Sequence, residues 1–113
     1  MPVNWWRVCV DARGHGAREL LFEPGRSLVG NAGVLVTEVL VCKPGVQKNF
    51  CIVDAAMNDL VRPAMYDAYH HITVLGRDGS PRQGVAGLVD VVGSLCENND
   101  KFATQRELPP VEE

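Results

Sequence analysis

Four short apolar runs, set apart by turn-forming residues, constrain this chain more than any other feature. Residues 34–43 read VLVTEVLVCK, rich in β-branched side chains and without a helix cap, which predicts a strand of about ten residues. Lys43-Pro44-Gly45 stops it, and the short connection KPGVQKN leads into a second run at residues 50–53. A connection of that length joins antiparallel neighbours, so the two runs are expected as a hairpin. Residues 71–75, HITVL, form a third candidate strand, closed by the turn Gly76-Arg77-Asp78-Gly79-Ser80-Pro81, and residues 88–92 form a fourth. One helical interruption is expected near residues 62–69, where Pro63 opens a short helix because the first helical position needs no N–H. Closely spaced apolar runs with one brief helix predict a mainly β fold, an antiparallel β-sandwich or barrel, and not alternating βαβ units. The tail RELPPVEE adds no apolar segment, so the barrel or sandwich is expected to be incomplete, with uncovered edges.

Size and charge remove several classes. A chain of 113 residues holds one domain, and a (β/α)₈ barrel of roughly 250 residues is excluded. Lysine and arginine number 11 against 14 aspartates and glutamates, a net charge of −3. No basic excess marks a nucleic-acid binder. The longest apolar stretch, residues 33–42, is broken by Thr37 and Glu38 and falls short of the ~20 residues that cross a bilayer. The first residues, MPVNWWRVCVDARGHG, lack the basic start and sustained apolar segment of a secretory signal, so no membrane association and a cytoplasmic location are expected. Cys9, Cys42, Cys51 and Cys96 contain no C-x-x-C pair, and the adjacent His70 and His71 would point to opposite faces of a strand. No metal site is expected.

Several residues carry chemical potential with a plain alternative beside it. Glu23-Pro24-Gly25-Arg26 is a turn with solvated charges, or a turn that presents a carboxylate and a guanidinium together to a polar ligand. Arg62 and Tyr66 are four apart, hence on one face of the expected helix. They are either an ordinary surface arginine and a packed tyrosine or a joint charge and phenol grip on a carboxylate. Cys96 is a quiet thiol unless a cation offsets the neighbouring Glu97 and Asp100. Lys43, Lys48 and Lys101 have no evident buried setting that would suit them to covalent chemistry.

Three long segments, LLFEPGRSLVGNAGVLVTEVL, IVDAAMNDLVRPAMYDAYHHITV and DVVGSLCENNDKFATQRELPPVEE, taken in this order, resemble bacterial diaminopimelate decarboxylases of the ornithine, diaminopimelate and arginine decarboxylase family. The likeness runs from residue 19 to residue 113, with residues 1–18 unmatched. The resemblance implies a pyridoxal 5'-phosphate enzyme that decarboxylates meso-diaminopimelate to L-lysine, built as an alanine-racemase-like barrel plus a C-terminal β-domain. It also implies a homodimer with sites at the subunit interface, or pairing with a complementary barrel chain. Residues 19–33 would be a remnant of the last barrel segment, and residues 34–113 a truncated β-domain.

By the same resemblance Glu23 pairs with the pyridine nitrogen of the cofactor. Arg26, Arg62 and Tyr66 hold the distal carboxylate of the substrate. Glu97 meets its distal ammonium, and Cys96 sits near the reacting carbon, both acting in trans. The family's cofactor-binding lysine and glycine-rich phosphate loop fall in a region these residues do not include, so the isolated chain is expected to be inactive. Ala56 stands where glycine is common, and Asn98-Asn99 where Ser-Gly is common. The alternatives are a non-catalytic β-module that binds or modulates an intact decarboxylase, and a fragment of an ornithine or arginine decarboxylase. Those two substrates lack a second carboxylate, which disfavours the last.

Overall fold

A computed structural model describes residues 23–112; the expectations for residues 1–18 lie outside the described residues. The chain divides between Val34 and Leu35 into two units. In the first, Pro24 precedes a short helix, α1 (Gly25–Val29). The turn expected at residues 23–26 is there in its first step, with the Gly25 N–H donating to the Glu23 carbonyl at 2.9 Å. It then continues as a helical turn, because Ser27 Oγ donates to the Pro24 carbonyl at 3.0 Å and satisfies an acceptor at the helix start.

The second unit is a four-stranded sheet in the order β1-β2-β3-β4: β1 (Val39–Lys43), β2 (Asn49–Val53), β3 (Gly87–Val92) and β4 (Lys101–Leu108), with helix α2 (Arg62–Tyr66) between β2 and β3. The mainly β class and the short helix are as the sequence predicts. The first two strands form the expected antiparallel hairpin, Cys42 opposite Cys51. Cys51, Val53, Ala55, Val91, Phe102, Ala103 and Leu108 make the core, with Ile72 and Val74 packed against it.

Four details depart from the sequence reading, each for a local reason. β1 begins at Val39, not at residue 34, because its partner ends at Val53. Beyond that point Asp54 takes over: its carboxylate accepts from Thr37 Oγ1 and from the Glu38 N–H at 2.8 Å, which ends the ladder. Residues 71–75 form no strand and make only a bridge between Leu75 and Pro81, flanked by the Gly76 N–H donating to the Ser80 carbonyl at 2.9 Å and the Arg82 N–H to the Val74 carbonyl at 2.8 Å, a pairing confined to the turn. β4 arises where no apolar segment was expected. Finally, β2 and β3 pair in parallel, so the sheet is mixed and open and not wholly antiparallel. Residues 54–86 lie between those strands and exceed the dozen or so residues a parallel crossover requires.

The polar composition of β4 reflects a bulge. Val89 faces Arg106 while Val91 faces Ala103, which leaves an extra residue on β4, and Gln105 there takes a left-handed φ of 46°. The buried Asp90 of β3 receives the N–H of Gln105 at 2.6 Å and the Lys48 ammonium at 3.0 Å. A buried carboxylate needs such partners to offset the loss of water. The bulge also breaks the alternation of buried and exposed side chains along β4.

Candidate functional site

α2 begins at Arg62 because Pro63 fits the first turn, and Pro63 is its buried residue. It ends at Asp67, whose φ of 51° turns the chain left-handed, a conformation aspartate tolerates better than most residues. This frame sets Arg62 and Tyr66 one helical turn apart, the guanidinium carbon 5.5 Å from the ring centroid. Tyr66 is 64% exposed. A planar cation resting on an aromatic face keeps its N–H edges outward. The pair therefore offers several donors to an incoming carboxylate, beside a phenol hydroxyl that can add one more.

Cys96 and Glu97 sit together on the loop from β3 to β4, both exposed. The Glu97 carboxylate accepts the Asn99 N–H at 3.2 Å, and the Glu97 carbonyl accepts the Asp100 N–H at 3.1 Å. Neither Asn98 nor Asn99 takes a positive φ, and neither does Ala56. The glycine common at position 56 in the family is thus not required by backbone conformation here. Ala56 is buried at the head of a turn, its N–H donating to the Asp59 carboxylate at 2.9 Å.

Glu23 and Arg26 belong to the first unit, on the approach to α1 and within it, both exposed. The second unit brings Arg62 to Tyr66 and carries Cys96 beside Glu97. Lys48 is paired with Asp90 at 3.0 Å, Lys101 lies 3.8 Å from Asp67, and Lys43 is exposed at the end of β1. None of the three is enclosed in an apolar pocket of the kind that frees an amine for covalent work. No group of three potential metal ligands occurs among the described residues, and no helix among them is long and apolar enough to cross a membrane.

Two residues with clear structural roles at this site have no signal in the sequence. Arg106 stacks on Tyr69, 4.1 Å from the ring centroid, and donates to the His70 carbonyl at 2.8 Å, which fixes the segment leaving α2. Asp100, read only as a charge near Cys96, is 3% exposed. Its carboxylate accepts the N–H groups of Met57 and Leu95, each at 2.7 Å. The Met57 contact spans 43 positions, which no local pattern announces.

The sequence profile of the pyridoxal-dependent decarboxylase C-terminal sheet domain matches residues 8–113, so it reaches back into the stretch for which the resemblance gave no counterpart. The diaminopimelate decarboxylase of Vibrio cholerae is 51% identical over 108 residues, which is 95% of this chain and 25% of that protein. The crystal structure of AQ1208 from Aquifex aeolicus superposes with a TM-score of 0.70 at 44% identity, over 77% of this chain and 21% of that one. The crystal structure of diaminopimelate decarboxylase from Helicobacter pylori complexed with L-lysine superposes at 0.56 with 41% identity, over 67% of this chain and 17% of that one. The chain thus spans about a quarter of the length of the Vibrio relative. With a profile match over nearly its whole length and an open mixed sheet of the same form, the chain belongs to the pyridoxal-dependent decarboxylases, in their C-terminal sheet domain.

Proposed function

We propose that these residues form the substrate-recognising part of a diaminopimelate decarboxylase, which takes carbon dioxide from meso-diaminopimelate and leaves L-lysine. The observation that carries the reading is the outward-facing Arg62 and Tyr66 pair, held on one face of α2 at 5.5 Å. A substrate with an amino-acid head at each end needs its distal carboxylate held while the other end reacts. Arg62 supplies the charge for that carboxylate, and the Tyr66 hydroxyl donates to it. Glu97 accepts from the distal ammonium, and Cys96 stands near the reacting carbon, both lent to the neighbouring subunit of a dimer.

One acceptor among the described residues suits the ring end of pyridoxal phosphate. Glu23 is an exposed carboxylate, suited to accept the N–H of the pyridine ring and keep that nitrogen protonated. When bound, the cofactor supplies an electron sink for the pair left as carbon dioxide departs. Lys48 and Lys101 are paired with carboxylates and Lys43 is exposed, so the cofactor-binding lysine is assigned to the barrel. The polypeptide of 113 residues is expected to be inactive by itself.

The test is a composite enzyme in which this chain replaces the matching 108 residues of the Vibrio cholerae relative. Expressed in a bacterium that lacks its own diaminopimelate decarboxylase, the composite restores growth without lysine. The composite carrying Arg62→Ala does not. Growth restored equally by both would remove the role given to Arg62, and restoration by the 113-residue polypeptide alone would contradict the division of labour with the barrel.

A further inference from the structure

Asp100 is buried and its carboxylate is shared between two segments that carry site residues. Oδ1 accepts the Met57 N–H at 2.7 Å, in the turn that leads to α2 with Arg62 and Tyr66. Oδ2 accepts the Leu95 N–H at 2.7 Å, in the loop that carries Cys96 and Glu97. The base of that loop is closed by the Gly93 N–H donating to the Asp100 carbonyl at 2.9 Å. Space for the carboxylate comes from Gly93, where an added Cβ would lie 2.2 to 2.5 Å from the carboxylate atoms. Short bonds from backbone N–H groups to an ionised acceptor are the strong kind, and a buried carboxylate with two of them is fixed in place.

We propose that Asp100 is a positioning residue, one carboxylate that sets the Cys96 and Glu97 loop against the turn leading to Arg62 and Tyr66. The assignment rests on the decarboxylase reading above. Asparagine cannot replace it: the amide keeps one acceptor oxygen, and its NH₂ would face the second N–H, so one segment is released. Asp90 is a natural control, because it is likewise a buried aspartate, on β3, but holds Lys48 and Gln105 and touches neither site segment.

The experiment has two arms. In the labelled 113-residue chain, couplings through the hydrogen bonds are measured by NMR between the Met57 and Leu95 amide nitrogens and the Asp100 carboxylate carbon. Both are expected, and the absence of either overturns the clamp without touching the functional reading. In the composite enzyme, Asp100→Asn is expected to lower kcat/KM for meso-diaminopimelate about tenfold or more, with cofactor content unchanged. Asp90→Asn lowers the melting temperature and leaves kcat/KM within about twofold. Equal loss of kcat/KM in the two variants, or none in Asp100→Asn, overturns the positioning role. A composite with native Asp100 that has no activity overturns the decarboxylase reading and the assignment that rests on it.

Discussion

Arg62 and Tyr66 show how far a spacing of four carries. The shared helical face follows from sequence alone, whereas the exposure of Tyr66 and the stacking that turns the guanidinium edge outward are seen only in the folded chain. If that edge meets the distal carboxylate, Arg62→Ala in the composite enzyme raises KM for meso-diaminopimelate by roughly ten- to a hundredfold, the loss of one charged hydrogen-bonded contact. Steady-state kinetics decide it, and a fall in kcat at constant KM would contradict a binding role. The cysteines separate in the same way. Burial first, then the neighbouring Cys42, pushes the Cys51 thiol up to about 11, while Cys96 lies open on its loop. Thiolate, not thiol, is alkylated. At pH 8 iodoacetamide labels the exposed Cys96 ahead of the buried Cys51. Labelling of Cys51 rises as pH climbs toward 11, a trend that peptide mass mapping follows. Asp100 was not legible, because its burial depends on a segment more than thirty positions away in sequence.

Among the elements, the hairpin of β1 and β2, the helix at Pro63 and the strand β3 were legible because apolar patterning, proline and turn residues act locally. β4 was not, since Lys101, Thr104, Gln105, Arg106 and Glu107 give it a polar face and the bulge at Gln105 spoils its alternation. The parallel pairing of β2 with β3 is likewise a long-range choice. The Asp54 latch at the start of β1 makes an element-level prediction. The Thr37 hydroxyl, then the Glu38 N–H, hold the Asp54 carboxyl below the ordinary aspartate range. A depressed value of this kind contributes stability that is present above the ordinary aspartate range and is lost as pH falls through the folded value. Thr37→Val is expected to bring the Asp54 midpoint back toward the ordinary value, read from the Glu38 amide shift in an NMR titration. An unchanged midpoint would remove the latch.

For the molecule as a whole, Val36, Val46 and Val85 are 81%, 106% and 92% exposed, and β1 and β4 are open edges of the sheet. Apolar surface of this kind suits a sheet domain seated against further polypeptide. The dimer reading adds a sharper expectation. If Glu97 serves the neighbouring site, composite subunits carrying Arg62→Ala and Glu97→Ala, each strongly impaired alone at substrate concentrations well below KM, regain up to roughly a quarter of native activity there when mixed and reassembled as twofold dimers. In each mixed dimer one site keeps both native side chains. No recovery on mixing would place Glu97 in the same site as its own Arg62.

The central claim is that the proposed grip of Arg62 and Tyr66 reads a second carboxylate, and substrate discrimination by the purified composite enzyme tests it most directly. Carbon dioxide release should be at least about a hundredfold faster per unit concentration from meso-diaminopimelate than from ornithine or arginine. Equal rates on all three amino acids, or a preference for either of the substrates with one carboxylate, would contradict it.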